Sequence, residues 1–254
     1  TYETQLMMRD MTNSEKIGEV FSAMKRILII TFTIEFIGGV FIFFSLGKSV
    51  TGFGSKLFFS TFHTISSFCN AGFSTLENSL YEPGFRFNYP LHLILALLFI
   101  LGGLGFPIVL NVYKYFKHLI INRVLPLRNN EKCLHRPWVI NMNTRIVLIT
   151  TLILLVGGSI GFYILEYNNT LAIHDGIGKV VTAFFGAATP RTAGFNSIDY
   201  NDLRFGTLML IFLLMWIGAS PASTGGGIKT STFAIATLNF FSLARGKDRI
   251  ELYK

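Results

Sequence analysis

The chain has 254 residues, of which 51% are apolar and 14% are charged, whereas an ordinary soluble domain carries about 25% charged residues. The net charge of +8 is segregated along the chain, which marks a membrane topology and excludes a nucleic-acid footprint. Cys69 and Cys133 fall on opposite sides of that topology, so neither a disulfide nor a metal spacing is expected.

Residues 1–26 are polar and basic and read as a cytoplasmic segment. Ile27 to Leu46 carries one charge, Glu35, and predicts a first span at about 27–46, the roughly 20 residues a membrane helix needs. Lys56 to Ser67 is largely apolar but too short to cross, which predicts a re-entrant half-helix over 56–67. A loop at 69–74 follows, containing Asn70, Ala71, Gly72 and Phe73. Leu91 to Tyr113 is uncharged and predicts a span at about 91–116. Beyond a basic connection the order recurs, with a span at about 145–166, a half-helix at 178–188 and a loop at 191–196 containing Thr192, Ala193, Gly194 and Phe195. The last span, about 205–242, is interrupted at 218–229. These elements define two units, 27–137 and 138–254. Buried core helices of a soluble protein would need polar faces, which these stretches lack.

The recurrence is an internal repeat. A shift of 122 lays Phe62 over Phe184, Ser67 over Thr189, Asn70 over Thr192, and one Ala-Gly-Phe triplet over the other. Gly38-Gly39 and Gly157-Gly158 mark the preceding spans. Two spans per unit return the chain to its starting side, so the repeats are parallel, unlike the inverted repeats common in secondary transporters. Fifteen Lys and Arg residues lie in 1–26, 114–145 and the C-terminal tail, against six in the opposite connections. The positive-inside rule therefore makes the N-terminus, the 114–145 connection and the C-terminus cytoplasmic.

Irregular backbone at membrane depth is tolerated where it is buried in protein or lines a wet cavity. Glycine there permits positive φ and lets carbonyls point one way, and stacked carbonyls replace the hydration shell of a monovalent cation. A single Ala-Gly-Phe would fit an ordinary turn outside the membrane. Two copies, each behind a short apolar segment and between spans, favour an ion path.

The break in the last span reads Gly218-Ala219-Ser220-Pro221-Ala222-Ser223-Thr224-Gly225-Gly226-Gly227-Ile228-Lys229-Thr230. Gly costs about 1 kcal/mol and Pro about 3 in a helix interior, so this stretch is expected to unwind within the membrane beneath the second loop. Small and hydroxylated, it is a gate candidate through Gly218, Ser220, Ser223, Thr224, Gly225, Gly226, Gly227 and Lys229. It is not a phosphate-binding Walker loop, because Ile228 separates Gly227 from Lys229 and no strand precedes it. Lys229 is either a cation placed where the span restarts or a side chain snorkelling to the cytoplasmic interface. Glu35 is an intramembrane carboxylate and thus a functional feature by default, with pairing to a basic residue of another helix as the structural alternative. Glu166, at a span end, is expected to be solvated, and His63 packed and hydrogen-bonded. The five histidines show no metal spacing, and no catalytic Ser-His-Asp or Cys-His arrangement appears, so no enzyme is expected.

Asn70-Ala-Gly-Phe-Ser74, Thr189-Pro-Arg-Thr-Ala-Gly-Phe-Asn196, Gly102-Gly-Leu-Gly-Phe106 and the 218–230 string resemble the pore subunit of the Ktr/Trk/HKT superfamily of potassium and, in some members, sodium transporters. The resemblance covers essentially the whole chain. It implies an all-α membrane fold, in which four units of span, re-entrant pore helix, filter loop and span surround one pore. The chain then corresponds to the second and third units, and the first and fourth are expected elsewhere in a longer polypeptide. The resemblance also implies K+ as the transported ion, with Na+ in some members, bound at backbone carbonyls of Asn70, Ala71, Gly72, Thr192, Ala193 and Gly194, without an organic cofactor. It implies a homodimer on a cytoplasmic ring of nucleotide-binding regulatory subunits, docked through the 114–145 connection and the tail. The expected activity is potassium uptake across a plasma membrane, of bacterial inner-membrane type, through a filter gated by the glycine-rich loop. A proton- or sodium-coupled secondary transporter using Glu35 is the alternative.

Overall fold

A computed structural model describes residues 17–47, 49–115 and 141–246, with side chains from residue 21 onward. The segment up to residue 16, expected to be cytoplasmic, most of the 114–145 connection and the tail from residue 247 lie outside the described residues. Apart from an isolated parallel bridge between Ile217 and Ile228, the regular structure described is helical.

Helix α1 spans Ile17–Ser45. From Ile27 its one charged residue is Glu35, and Phe32, Phe36, Phe41 and Phe44 are all exposed. Such a helix has no stripe to turn toward water, and its backbone bonds are satisfied within the helix, as a bilayer requires. Helix α5, Met142–Glu166, has the same character. Among the described residues these two helices are long and apolar enough to cross a membrane, and a bent helix pair adds a third if it is one span.

That pair is α3, Tyr89–Leu104, and α4, Phe106–Tyr115, which meet at 104°. The sequence predicts one span here, at about 91–116, whereas the described backbone turns sharply at Gly105. Gly105 has φ +82 and ψ 148, a non-helical conformation open essentially to glycine alone, and Pro107 sits in the first turn of α4, where its missing N–H costs nothing. Apolar run length registers neither signal.

The short helices are α2, Phe53–Phe68, and α6, Ile177–Ala188. At 1.5 Å per residue they are about 24 and 18 Å long, less than the ~30 Å hydrocarbon core. Helices α7, Phe205–Trp216, and α8, Thr230–Ala244, flank the glycine-rich segment.

α1 packs on α2 and α3, α5 packs on α6, α7 and α8, and α3 meets α6 to join the halves. The core crosses that seam, since Leu91, Leu95 and Phe99 cluster with Phe185, Ala188 and Phe195. Lipid is as apolar as leucine, so close approach and interhelical hydrogen bonds hold such helices together. Gly38 lets α1 press onto α3, because a Cβ there would lie 2.7 Å from Leu98 Cδ2. The Ser67 hydroxyl donates to the Leu95 carbonyl at 2.9 Å, tying α2 to α3.

Glu166 departs from expectation. It is fully buried and accepts from Thr207 Oγ1 at 2.5 Å, the Arg204 amide at 3.0 Å, Asn169 Nδ2 at 2.8 Å and Thr170 Oγ1 at 3.0 Å. The residues after it fold back over the helix end, so the carboxylate fastens α5 to the start of α7 instead of meeting water.

Candidate functional site

Helix α2 ends in a tight turn that carries Asn70 and Ala71. The Asn70 amide donates to the Ser67 carbonyl at 3.0 Å and the Ala71 amide to the Ser66 carbonyl at 2.8 Å. The Ser66 hydroxyl then reaches forward to the Phe73 carbonyl at 2.7 Å. His63 is fully buried, stacked on Phe59 at 3.8 Å between ring centroids, with its ring nitrogens 2.9 Å from the Phe59 carbonyl and 3.0 Å from Ser74 Oγ. It is a packed, hydrogen-bonded imidazole that braces the outgoing strand of the loop.

The second loop is built in the same manner. After α6 a single 3-10 turn, Thr189–Arg191, leads into Thr192. The Ala193 and Gly194 amides donate to the Thr189 carbonyl at 2.9 and 3.2 Å, and the Thr189 hydroxyl donates to the Phe195 carbonyl at 2.9 Å. Each triplet is thus held by a hydroxyl from the end of its short helix. The repeat alignment pairs Thr189 with Ser67, yet the equivalent bond comes from Ser66, one residue earlier. The sequence contains both hydroxyls but not the offset.

The two triplets touch. Gly72 has φ +72 and Gly194 φ +83, values that an L side chain adopts only with strain. A Cβ on Gly72 would run into the Ala193 carbonyl oxygen and lie 3.2 Å from Gly194 Cα. Ala71 and Gly194 are exposed and Ala193 is buried. The phenylalanines diverge, for Phe195 is fully buried whereas Phe73 is 70% exposed.

Residues 217–229 form a closed loop whose neck is pinned by bonds from the Gly218 amide to the Ile228 carbonyl (3.1 Å) and the Ala219 amide to the Gly226 carbonyl (3.0 Å). Gly218 and Gly227 allow the two arms to cross, since a Cβ on Gly227 would lie 2.6 Å from Gly218 Cα. The loop seats on the end of α3. The Ser220 amide donates to the Gly103 carbonyl at 3.0 Å, the Thr224 amide to the Gly102 carbonyl at 3.3 Å, and the Phe106 amide to the Ala222 carbonyl at 3.2 Å. The Ser220 hydroxyl bonds the Gly103 and Leu104 carbonyls, and the Ser223 hydroxyl donates to the Ser220 carbonyl at 2.5 Å. Lys229 Nζ turns back onto the Gly225 carbonyl at 2.8 Å, so its charge is spent within the loop. All eight residues singled out in the break are in this one loop.

Three charged or titratable features lie nearby. Arg191 donates from its guanidinium to the Gly218 carbonyl at 3.2 Å, linking the second triplet's turn to the loop neck. Glu35 lies in a groove between α1 and α2 lined by Phe36, Gly39, Ser60, Thr61 and Thr64. At the seam between the halves Tyr89 Oη lies 3.0 Å from His174 Nδ1. Burial first, and the Arg86 guanidinium next, hold the His174 pKa below its ordinary value, which favours the neutral ring as acceptor. This bridge joins residues 85 positions apart, and no local pattern announces it. Among the described residues no group of three or more His, Cys, Asp or Glu side chains is placed to hold a metal ion.

A family model described as TrkH, cation transport protein, matches residues 1–250. The Ktr system potassium uptake protein B of Bacillus subtilis is 33% identical over 252 residues, 98% of this chain and 52% of that protein. The potassium/sodium uptake protein NtpJ of Enterococcus hirae is 32% identical over 254 residues, 100% of this chain and 51% of that protein. The chain therefore spans about half the length of the curated relatives it matches. The crystal structure of the potassium transporter TrkH from Vibrio parahaemolyticus superposes with a TM-score of 0.68 at 16% identity, covering 98% of this chain and 48% of that one, a likeness of fold. With a helical, apolar fold of that shape and a family match over almost its whole length, this chain belongs to the TrkH family of cation transport proteins.

Proposed function

We propose that the chain contributes two of four units to a pore for potassium uptake, with the Ala-Gly-Phe loops as half of a selectivity filter and residues 218–229 as a gate beneath it. The observation that carries this reading is the contact between Gly72 and the Ala193–Gly194 backbone, two glycine loops with left-handed φ side by side at the ends of short helices. In this reading α2 and α6 are the re-entrant pore helices. The backbone carbonyls of Asn70, Ala71, Gly72, Thr192, Ala193 and Gly194 coordinate the ion in place of its water. Uptake runs passively down the electrochemical gradient, which requires no proton carrier. The relatives named as potassium uptake proteins support K+, and the potassium/sodium uptake protein supports Na+ as a second permeant ion.

The rest of the assembly belongs to the same proposal. The remaining two units lie elsewhere in the polypeptide, the pore subunit pairs as a homodimer, and a cytoplasmic nucleotide-binding ring docks on the basic connection and tail. The termini of this segment face the cytoplasm. Proton or sodium coupling through Glu35 is the second reading, favoured by its groove of hydroxyl-bearing residues, Ser60, Thr61 and Thr64.

Deleting residues 221–226 from the full-length protein in proteoliposomes tests the gate. The bonds from Thr224 to Gly102, from Phe106 to Ala222 and from Ala219 to Gly226 are lost with the segment, so potassium flux is expected to rise several-fold. Unchanged or lower flux from protein that elutes as a single folded species would contradict the gate.

A further inference from the structure

Asn70 occupies the point where the first triplet, the second triplet and the glycine-rich loop meet. Its φ is +53, a conformation in which Asn is several-fold enriched over most side chains. The side-chain amide lies 2.7 Å from Thr192 Oγ1 and 2.7 Å from Thr224 Oγ1. Either orientation of the amide bridges both hydroxyls. With its nitrogen toward Thr192 it also donates to the Phe99 carbonyl at 3.2 Å, and its oxygen accepts from the Gly103 amide at 3.3 Å. That orientation satisfies the amide fully. Thr192 directly precedes Ala193 and Gly194, while Thr224 is at the tip of the loop seated on Gly102 and Gly103. One side chain therefore joins segments 122 and 154 positions away in sequence.

We propose that the Asn70 side chain is a positioning residue that couples the glycine-rich loop to both Ala-Gly-Phe loops, so that the loop's seating and the filter's ion occupancy influence each other. The proposal rests on the filter and gate reading above. Withdrawing the loop removes Thr224 from one arm of the amide and releases the other arm's hold on Thr192. Coupling of two sites through one bistable contact is reciprocal. An ion that orders the filter backbone must then favour the seated loop, and a freed loop must weaken the filter's hold on the ion. The same chemistry explains why Asn70, whose carbonyl is a proposed ligand, also carries an amide: glycine would tolerate the turn but has no side chain to reach either hydroxyl.

The test is hydrogen–deuterium exchange of amides 218–228 in the full-length protein in lipid nanodiscs, with K+ or with choline as the sole monovalent cation. In the unmodified protein K+ is expected to slow exchange of these amides at least threefold. Thr224→Val, which keeps the side-chain shape and removes the hydroxyl, is expected to abolish that difference, and Thr224→Ser to restore it. No effect of K+ on the unmodified protein overturns the coupling without requiring any variant to fold, as does an undiminished effect in Thr224→Val. A Thr224→Val protein with faster flux but undiminished K+ protection would leave the gate standing and remove only the coupling. Conversely, K+ protection that depends on Thr224 beside a loop deletion without effect on flux would retain the coupling and remove the gate.

Discussion

Glu166 accepts hydrogen bonds from Asn169, Thr170, Arg204 and Thr207, a set that includes two backbone amides. Sequence alone sees a carboxylate at the end of an apolar run, where water is the natural partner. Its partners at 204 and 207 arrive only when the chain folds back, so the burial was not legible. The consequence is mechanical: Glu166 holds α5 to the start of α7, the helix that leads into the glycine-rich loop. Glu166→Ala would remove the acceptor of five donor groups, and unpaired buried polar groups are among the few causes of large single-site losses. A loss on the order of 3 kcal/mol is expected, read as a lower melting temperature of the full-length protein in detergent. Glu166→Gln, which keeps an acceptor, is expected to lose less. Equal melting of Glu166→Ala and the unmodified protein would show that the bonds contribute no net stability. His63 is the opposite case, a packed imidazole expected from its apolar surroundings and found as such.

Among elements, the long apolar runs were legible because length and lack of charge are properties of composition, and α1 and α5 follow them. The direction of the chain was less legible. The Gly102-Gly103-Leu104-Gly105-Phe106-Pro107 stretch reads as continuous hydrophobic sequence, yet Gly105 ends one helix and Pro107 helps start another at 104°. That corner is where the glycine-rich loop sits. A Cβ on Gly105 would lie 2.6 Å from the Pro221 carbonyl and 3.0 Å from Ser220 Oγ. Gly105→Ala therefore combines left-handed strain, roughly 1–2 kcal/mol, with a collision against the loop. The expected outcome is faster hydrogen exchange at 218–228 and higher potassium flux, while the α5 amides stay protected. Unchanged exchange in the loop would mean that its seat does not depend on this corner. The expected unwinding at 218–229 came from the cost of glycine and proline in a helix, but its folding into a closed loop with a hydrogen-bonded neck depends on Gly218 and Gly227 crossing, which spacing alone does not reveal.

For the whole molecule, a shift of 122 in the sequence was enough to align the two Ala-Gly-Phe triplets, because a repeat is visible in one dimension. It identifies which residues correspond and says nothing about which ones touch. The contact of Gly72 with Ala193, and the bridge through Asn70, are properties of the folded halves pressed together along α3 and α6. Ala71, Phe73 and Gly194 of the triplets are exposed, and the chain spans about half the length of its relatives. The central claim is that the two glycines shape an ion filter. The direct measurement is the ratio of K+ to Na+ uptake by the full-length protein in proteoliposomes, compared with Gly72→Ser and Gly194→Ser. The account predicts that each substitution lowers the ratio about tenfold, equivalent to ~1.4 kcal/mol of discrimination. A ratio unchanged in both variants, from protein that still conducts, would contradict it.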